Sequence, residues 1–195
     1  MKRLSIALAI VALPVAAVAQ VESYTLDQPH TFPYFALDYL GYANILGRFD
    51  RTSGKFSIDQ AAKKASLELA VETASVTTGD SERAGRPRTR DEHLRTPDFF
   101  NVIEFPRMTY KSSNVRFSGD SPAEVEGQLT LLGVTKPLTL KIDRFVCKVH
   151  PFYKKPACGG NASGTIKRTD FGMKYAVPAL GDEVRISIIF LGLKE

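Results

Sequence analysis

The side chains able to do chemistry here are few: two cysteines, Cys147 and Cys158, and three histidines, His30, His93 and His150. The cysteines bracket Lys148–Ala157, a spacing too wide for the Cys-x-x-Cys arrangement that lowers a thiol pKa. An even pair in an exported chain is most simply a disulfide. A metal pair with His150 and a redox-active dithiol are the alternatives. None of the histidines has a metal-ligand partner at helical or hairpin spacing, so a metal centre would have to be assembled by the fold. Asp91 and Glu92 are sequence neighbours, and on a helix they diverge by about 100° and cannot share a proton. Asp170 in RTDFG is a turn former ahead of Phe171-Gly172. No Gly-x-Ser-x-Gly elbow, His-Glu-x-x-His pair or phosphate-cradling glycine loop occurs. No catalytic set, metal site or cofactor motif emerges, and the expectation is a protein that is not an enzyme.

Export is read from the first nineteen residues. Lys2 and Arg3 precede an apolar run, Leu4–Val18, and Ala17-Val18-Ala19 has the small-x-small form of a cleavage site. The run is too short to span a bilayer comfortably, so residues 1–19 are expected to be a signal peptide and 20–195 one mature domain in the periplasm. The formal charge is +5. It falls to a mild +3 once Lys2 and Arg3 leave, which gives no reason to expect nucleic acid.

What must position any site is a set of strands. In EVEGQLTLLGVTKPLTLKID, Glu124–Asp143, Val125, Gly127, Leu129 and Leu131 alternate with polar residues, and so do Leu138, Leu140 and Ile142. A period of two marks half-buried antiparallel strands, with Gly133–Pro137 read as the turn between them. The same alternation runs through Phe35, Leu37 and Tyr39, through Leu67, Leu69 and Val71, and through Val184, Ile186, Ile188 and Phe190. Thr52-Ser53-Gly54 reads as another turn. Many strands and little helix argue for closure, since closure removes exposed edges. The fold expected is all-β: an antiparallel up-and-down barrel of about eight strands, with a short helix near its mouth. A barrel of that size holds one small ligand, and 12 Phe and 7 Tyr exceed what a filled core needs.

The helix is placed at about Asp91–Arg95, where Thr89 and Glu92 have capping-box spacing and Pro97 stops it. Leu94, Phe99 and Phe100 fold beneath it as an apolar plug. Around it Arg83, Arg86, Arg88, Arg90 and Arg95 concentrate positive charge. Two readings stay open for them: a solvated loop, or a mouth that attracts anionic headgroups or a membrane surface.

Three segments in order carry a resemblance. LTLLGVTKPLTL at Leu129–Leu140, TRDEHLRTPDFFNVIEFPRMTY at Thr89–Tyr110 and TIKRTDFGMKYAVPALGDEVRISI at Thr165–Ile188 are similar to segments of the YceI-like family. The resemblance implies a lipocalin-like periplasmic barrel associated with polyisoprenoid lipids, and hence a lumen for a polyprenyl lipid or the tail of an isoprenoid quinone. The side chains expected to touch that chain are Phe35, Leu37, Tyr39, Phe49, Leu94, Phe99, Phe100, Phe117, Leu129 and Phe171. Tyr39 stands where relatives usually have histidine. The competing readings are an isoprenoid-modifying enzyme with the barrel as a dry pocket, and a ligand-free stress-response or interaction barrel.

Overall fold

The computed structural model describes residues 21–195, and the expected signal peptide lies outside them. Eleven strand segments form one sheet that closes on itself through the pairing of the first and last, β1 (Glu22–Leu26) and β11 (Glu183–Lys194). Three bent pairs act as single staves: β1 with β2 (Phe32–Tyr39), β3 (Ala43–Phe49) with β4 (Thr52–Asp59), and β5 (Lys64–Glu72) with β6 (Val76–Thr77). β7 (Arg107–Ser118), β8 (Ser121–Leu131), β9 (Val134–Val149), β10 (Pro156–Lys167) and β11 complete an antiparallel barrel of eight staves. β11 binds β2 through Arg185–Ile189 and β1 through Gly192–Lys194, so one straight strand spans the bend of its neighbour.

The three bends lie side by side and are stitched together. The Gln28 amide donates to the Asp50 carbonyl at 2.9 Å, Asp50 N–H to the Ser75 carbonyl at 3.1 Å, and Glu72 N–H to the Arg51 carbonyl at 3.0 Å. Backbone groups released from the ladders are thus re-paired across the crease, as buried amides require. This corrects one sequence expectation, because the chain breaks at Asp50-Arg51 and Thr52-Ser53-Gly54 already runs within β4. A second correction concerns the β8–β9 hairpin, whose turn is only Leu132-Gly133. Pro137 sits inside β9 opposite Gln128, in a stretch that pairs with β8 but not with β10. A proline lacking its N–H is tolerated where one edge of the strand goes unpaired.

α1 (Arg90–Leu94) stands over one end of the barrel. Its capping box is complete: Glu92 N–H donates to Thr89 Oγ1 at 3.0 Å and Thr89 N–H to Glu92 Oε2 at 2.7 Å. Asp91, buried, accepts from the N–H and hydroxyl of Thr78 at 2.8 and 2.6 Å and ties the helix to the end of β6.

Candidate functional site: an apolar lumen in two lobes

Inward-facing residues of every stave leave an apolar lumen of two adjoining lobes. The upper lobe, of about 120 Å³, lies under α1 between Phe35, Leu37, Phe49, Leu94, Phe99 and Met173. The lower one, about 80 Å³, lies between Phe56, Leu67, Val115, Ile142, Phe145 and Phe190. Leu69, Tyr110, Leu140 and Ile188 line both and form the waist. The lining is almost wholly carbon. Cavities of this size and lining stay dry and take up apolar molecules.

Glycines keep the lumen open by letting aromatic rings lie along its wall. Tyr110 spreads over Gly127, where a Cβ would sit 2.5 Å from a ring carbon, and Phe35 covers Gly47 in the same way at 2.2 Å. The Tyr110 hydroxyl lies 2.9 Å from the carbonyl oxygens of Val125 and Leu138 and donates into that pair. Its polar end is thereby satisfied in the wall, and burial raises its pKa well above the ordinary phenol value.

The roof is held by a buried arginine. Arg168, 1% exposed, follows β10 and donates to the carbonyls of Gly181 (2.8 Å), Met173 (3.1 Å), Tyr175 (2.9 Å) and Leu180 (3.0 Å). Its charge is spent on folding the Met173–Gly181 loop over the end of the barrel, although it borders the upper lobe. Desolvation lowers its pKa. His93 of α1 packs edge-on against Phe99 and Tyr175, with ring centroids 4.9 and 5.0 Å apart, which joins helix and loop into one roof. Its Nε2 is 2.8 Å from Asp98, so this histidine is engaged in structure.

Seven of the ten side chains named from sequence border the upper lobe: Phe35, Leu37, Phe49, Leu94, Phe99, Phe100 and Leu129. The other three lie elsewhere. Tyr39 has the same parity as Phe35 and Leu37, but β2 outlasts the barrel, leaving it 41% exposed beside Leu180. Phe117 packs at the opposite end against the Tyr24–Ile58–Cys158 cluster. Phe171 is buried in the short helical turn after β10, outside both lobes. Leu138, Leu140, Val184, Ile186 and Ile188 line the upper lobe as well, and the period-two alternation of their strands is the signal that places them on the buried face. Arg168 had no comparable signal.

The cysteines form the Cys147–Cys158 disulfide, directly opposite each other on β9 and β10. The arginines ahead of α1 are largely paired: Arg86 with Asp80 at 2.7 Å, Arg83 with Glu92 at 2.7 Å and Arg88 with Asp98 at 3.5 Å. Arg95 donates to the carbonyls of Ala74 and Val76. These pairings order the segment and offset part of its positive charge, while the arginine side chains stay largely exposed.

A closed barrel of eight antiparallel staves around a carbon-lined lumen, roofed by one short helix, defines a lipocalin-like barrel with an apolar interior. The chain belongs to the YceI-like domain family, whose profile matches residues 24–190. A protein of Pseudomonas aeruginosa named only UPF0312 is 35% identical over 187 residues, 94% of this chain and 93% of that one. The crystal structure of the Campylobacter jejuni YceI protein matches with a TM-score of 0.64 and 26% identity, covering 81% of this chain and 90% of that one. A polyisoprenoid binding domain from Saccharophagus degradans, implicated in plant cell wall breakdown, shares the fold at a TM-score of 0.62. It is 17% identical, over 88% of this chain and 98% of that domain.

Proposed function

We propose that this chain is an exported, non-catalytic carrier that sequesters a long apolar chain, a polyprenyl lipid or the tail of an isoprenoid quinone, in its lumen. The observation that carries the reading is the two-lobed lumen with no polar group turned into it for recognition. Tyr110 and Arg168, the strongest polar groups at its wall, spend their donors on backbone carbonyls. Such a site selects ligands by length and girth and leaves the headgroup outside. The name of the Saccharophagus degradans domain, for a protein of the same fold, supports the isoprenoid character of the chain. Residues 1–19 then serve as the signal peptide, residues 20–195 as the mature domain, and the periplasm as its location. Loading from a bilayer would bring the barrel into contact with a membrane surface.

Native mass spectrometry of protein purified from its own host tests this. The expected result is a single retained molecule whose mass resolves into a headgroup and repeated isoprene units. A lumen that emerges empty, or that holds only a small polar molecule, would contradict the proposal.

A further inference from the structure

We propose that the β9–β10 hairpin, at the barrel end remote from α1, is a docking element for anionic phospholipid surfaces. From Arg144 to Pro156 it carries Arg144, Lys148, Lys154 and Lys155 and no acidic residue. None of the four cations has an ion-pair partner among the described residues, in contrast to Arg83, Arg86 and Arg88. Among these charges Phe152 stands 87% exposed and Val149 62% exposed. An exposed aromatic ring flanked by lysines matches the boundary between acyl chains and anionic headgroups, where the ring inserts and the ammonium groups meet phosphate.

The tip is held ready for that contact. His150 N–H donates to the Lys155 carbonyl at 2.8 Å and Lys154 N–H to the His150 carbonyl at 2.9 Å. His150 Nδ1 accepts from the N–H groups of Phe152 and Tyr153, and the imidazole stacks on the Tyr153 ring with centroids 4.5 Å apart. Tyr153 in turn reaches Asp27, the carboxylate beside the tip, which His30 already engages at 2.6 Å. The disulfide locks the base of the hairpin. Phe152 is therefore presented outward by an ordered turn, so little ordering entropy is lost on insertion. A bilayer needs only a shallow anchor, and the four cations around Phe152 match its anionic headgroups.

The inference goes beyond the carrier reading and does not depend on it, because none of residues 148–155 borders either lobe. The chain contains no tryptophan, so Phe152→Trp supplies a single fluorescent reporter. Its emission should shift to the blue with vesicles of phosphatidylcholine mixed with phosphatidylglycerol, but not with phosphatidylcholine alone, and the shift should collapse in high salt. Adding Lys148→Ser, Lys154→Ser and Lys155→Ser should weaken vesicle binding roughly a hundredfold, with the melting curve and retained lipid unchanged. Arg83→Ser, Arg86→Ser and Arg88→Ser should leave vesicle binding as it was. An unshifted spectrum, equal binding to both vesicle types, or undiminished binding of the lysine variant would overturn the proposal. Loss of lumen ligand with intact vesicle binding would count against the carrier reading alone.

Discussion

Gly127 shows how one residue sets the width of the lumen. A side chain there meets the Tyr110 ring at 2.5 Å, and the neighbouring Lys111 carbonyl oxygen at 2.6 Å leaves the backbone no room to give. Gly127→Val should therefore destabilise the barrel by about 1–3 kcal/mol and swing the ring toward the waist, lowering the amount of apolar ligand retained. Thermal melts and lipid mass measured on the same sample check both halves. Cys147→Ser removes a cross-link closing a short loop, for which chain entropy gives about 3 kcal/mol. For a domain of this size that is a fall in melting temperature of roughly 6–12 °C, with no change in any ligand retained. Peptide mapping without reduction should show Cys147 joined to Cys158. The disulfide was legible from an even cysteine count in a chain expected to be exported. Arg168 was not, because a charged residue among polar neighbours looks the same in sequence whether it is solvated or carries four buried carbonyls.

Among the elements, the strands announced themselves and their interruptions did not. Alternation through Leu67, Leu69 and Val71 identifies β5 unaided, and the inward parity of β11 holds throughout the lumen. Pro137 misled because a proline's meaning depends on whether its edge is paired, which only the assembled sheet decides. The order of the segment before α1 was hidden for a related reason: sequence counts its arginines but does not show their partners. Asp80 carries much of that segment's order. The Arg86 guanidinium and the Arg90 backbone N–H hold its carboxyl at about 2, below the ordinary 3.8. A depressed carboxylate stabilises the fold above its unfolded pKa and loses that contribution as pH falls through the folded one. The protection factor of the Arg90 amide, which donates to Asp80, should thus be highest at neutral pH and fall between about pH 4 and 2 once the intrinsic pH dependence of exchange is divided out. Asp80→Asn should lower that protection at neutral pH and remove its pH dependence. A wild-type protection factor that does not change with pH would show that the ion pair does not order the segment.

At the scale of the whole barrel, affinity follows from how much chain the lumen can cover. At roughly 0.3 kcal/mol per heavy atom, each five-carbon isoprene unit that the lumen covers adds about 1.5 kcal/mol, close to a tenfold gain in affinity. An exposed charge contact at the mouth adds at most about 1 kcal/mol. Filling the waist should accordingly weaken binding far more than changing the roof's surface charges. Leu140→Trp, which borders both lobes, is expected to lose most of the affinity while Arg88→Ser loses almost none, as titration calorimetry with one ligand would show. The seven lumen residues found from sequence share one property, the right parity within the span of the barrel. Tyr39 and Phe117 have inward parity too, but lie beyond the lobes at opposite ends. Where a stave stops being wall is fixed by the closure of the sheet, and no local pattern records it.

The most direct test of tail-first binding is a series of ligands with one headgroup and a growing number of isoprene units. Affinity should rise with each added unit until the lumen is full and then level off. A series that stays flat with length, or tight binding of the headgroup alone, would contradict the account.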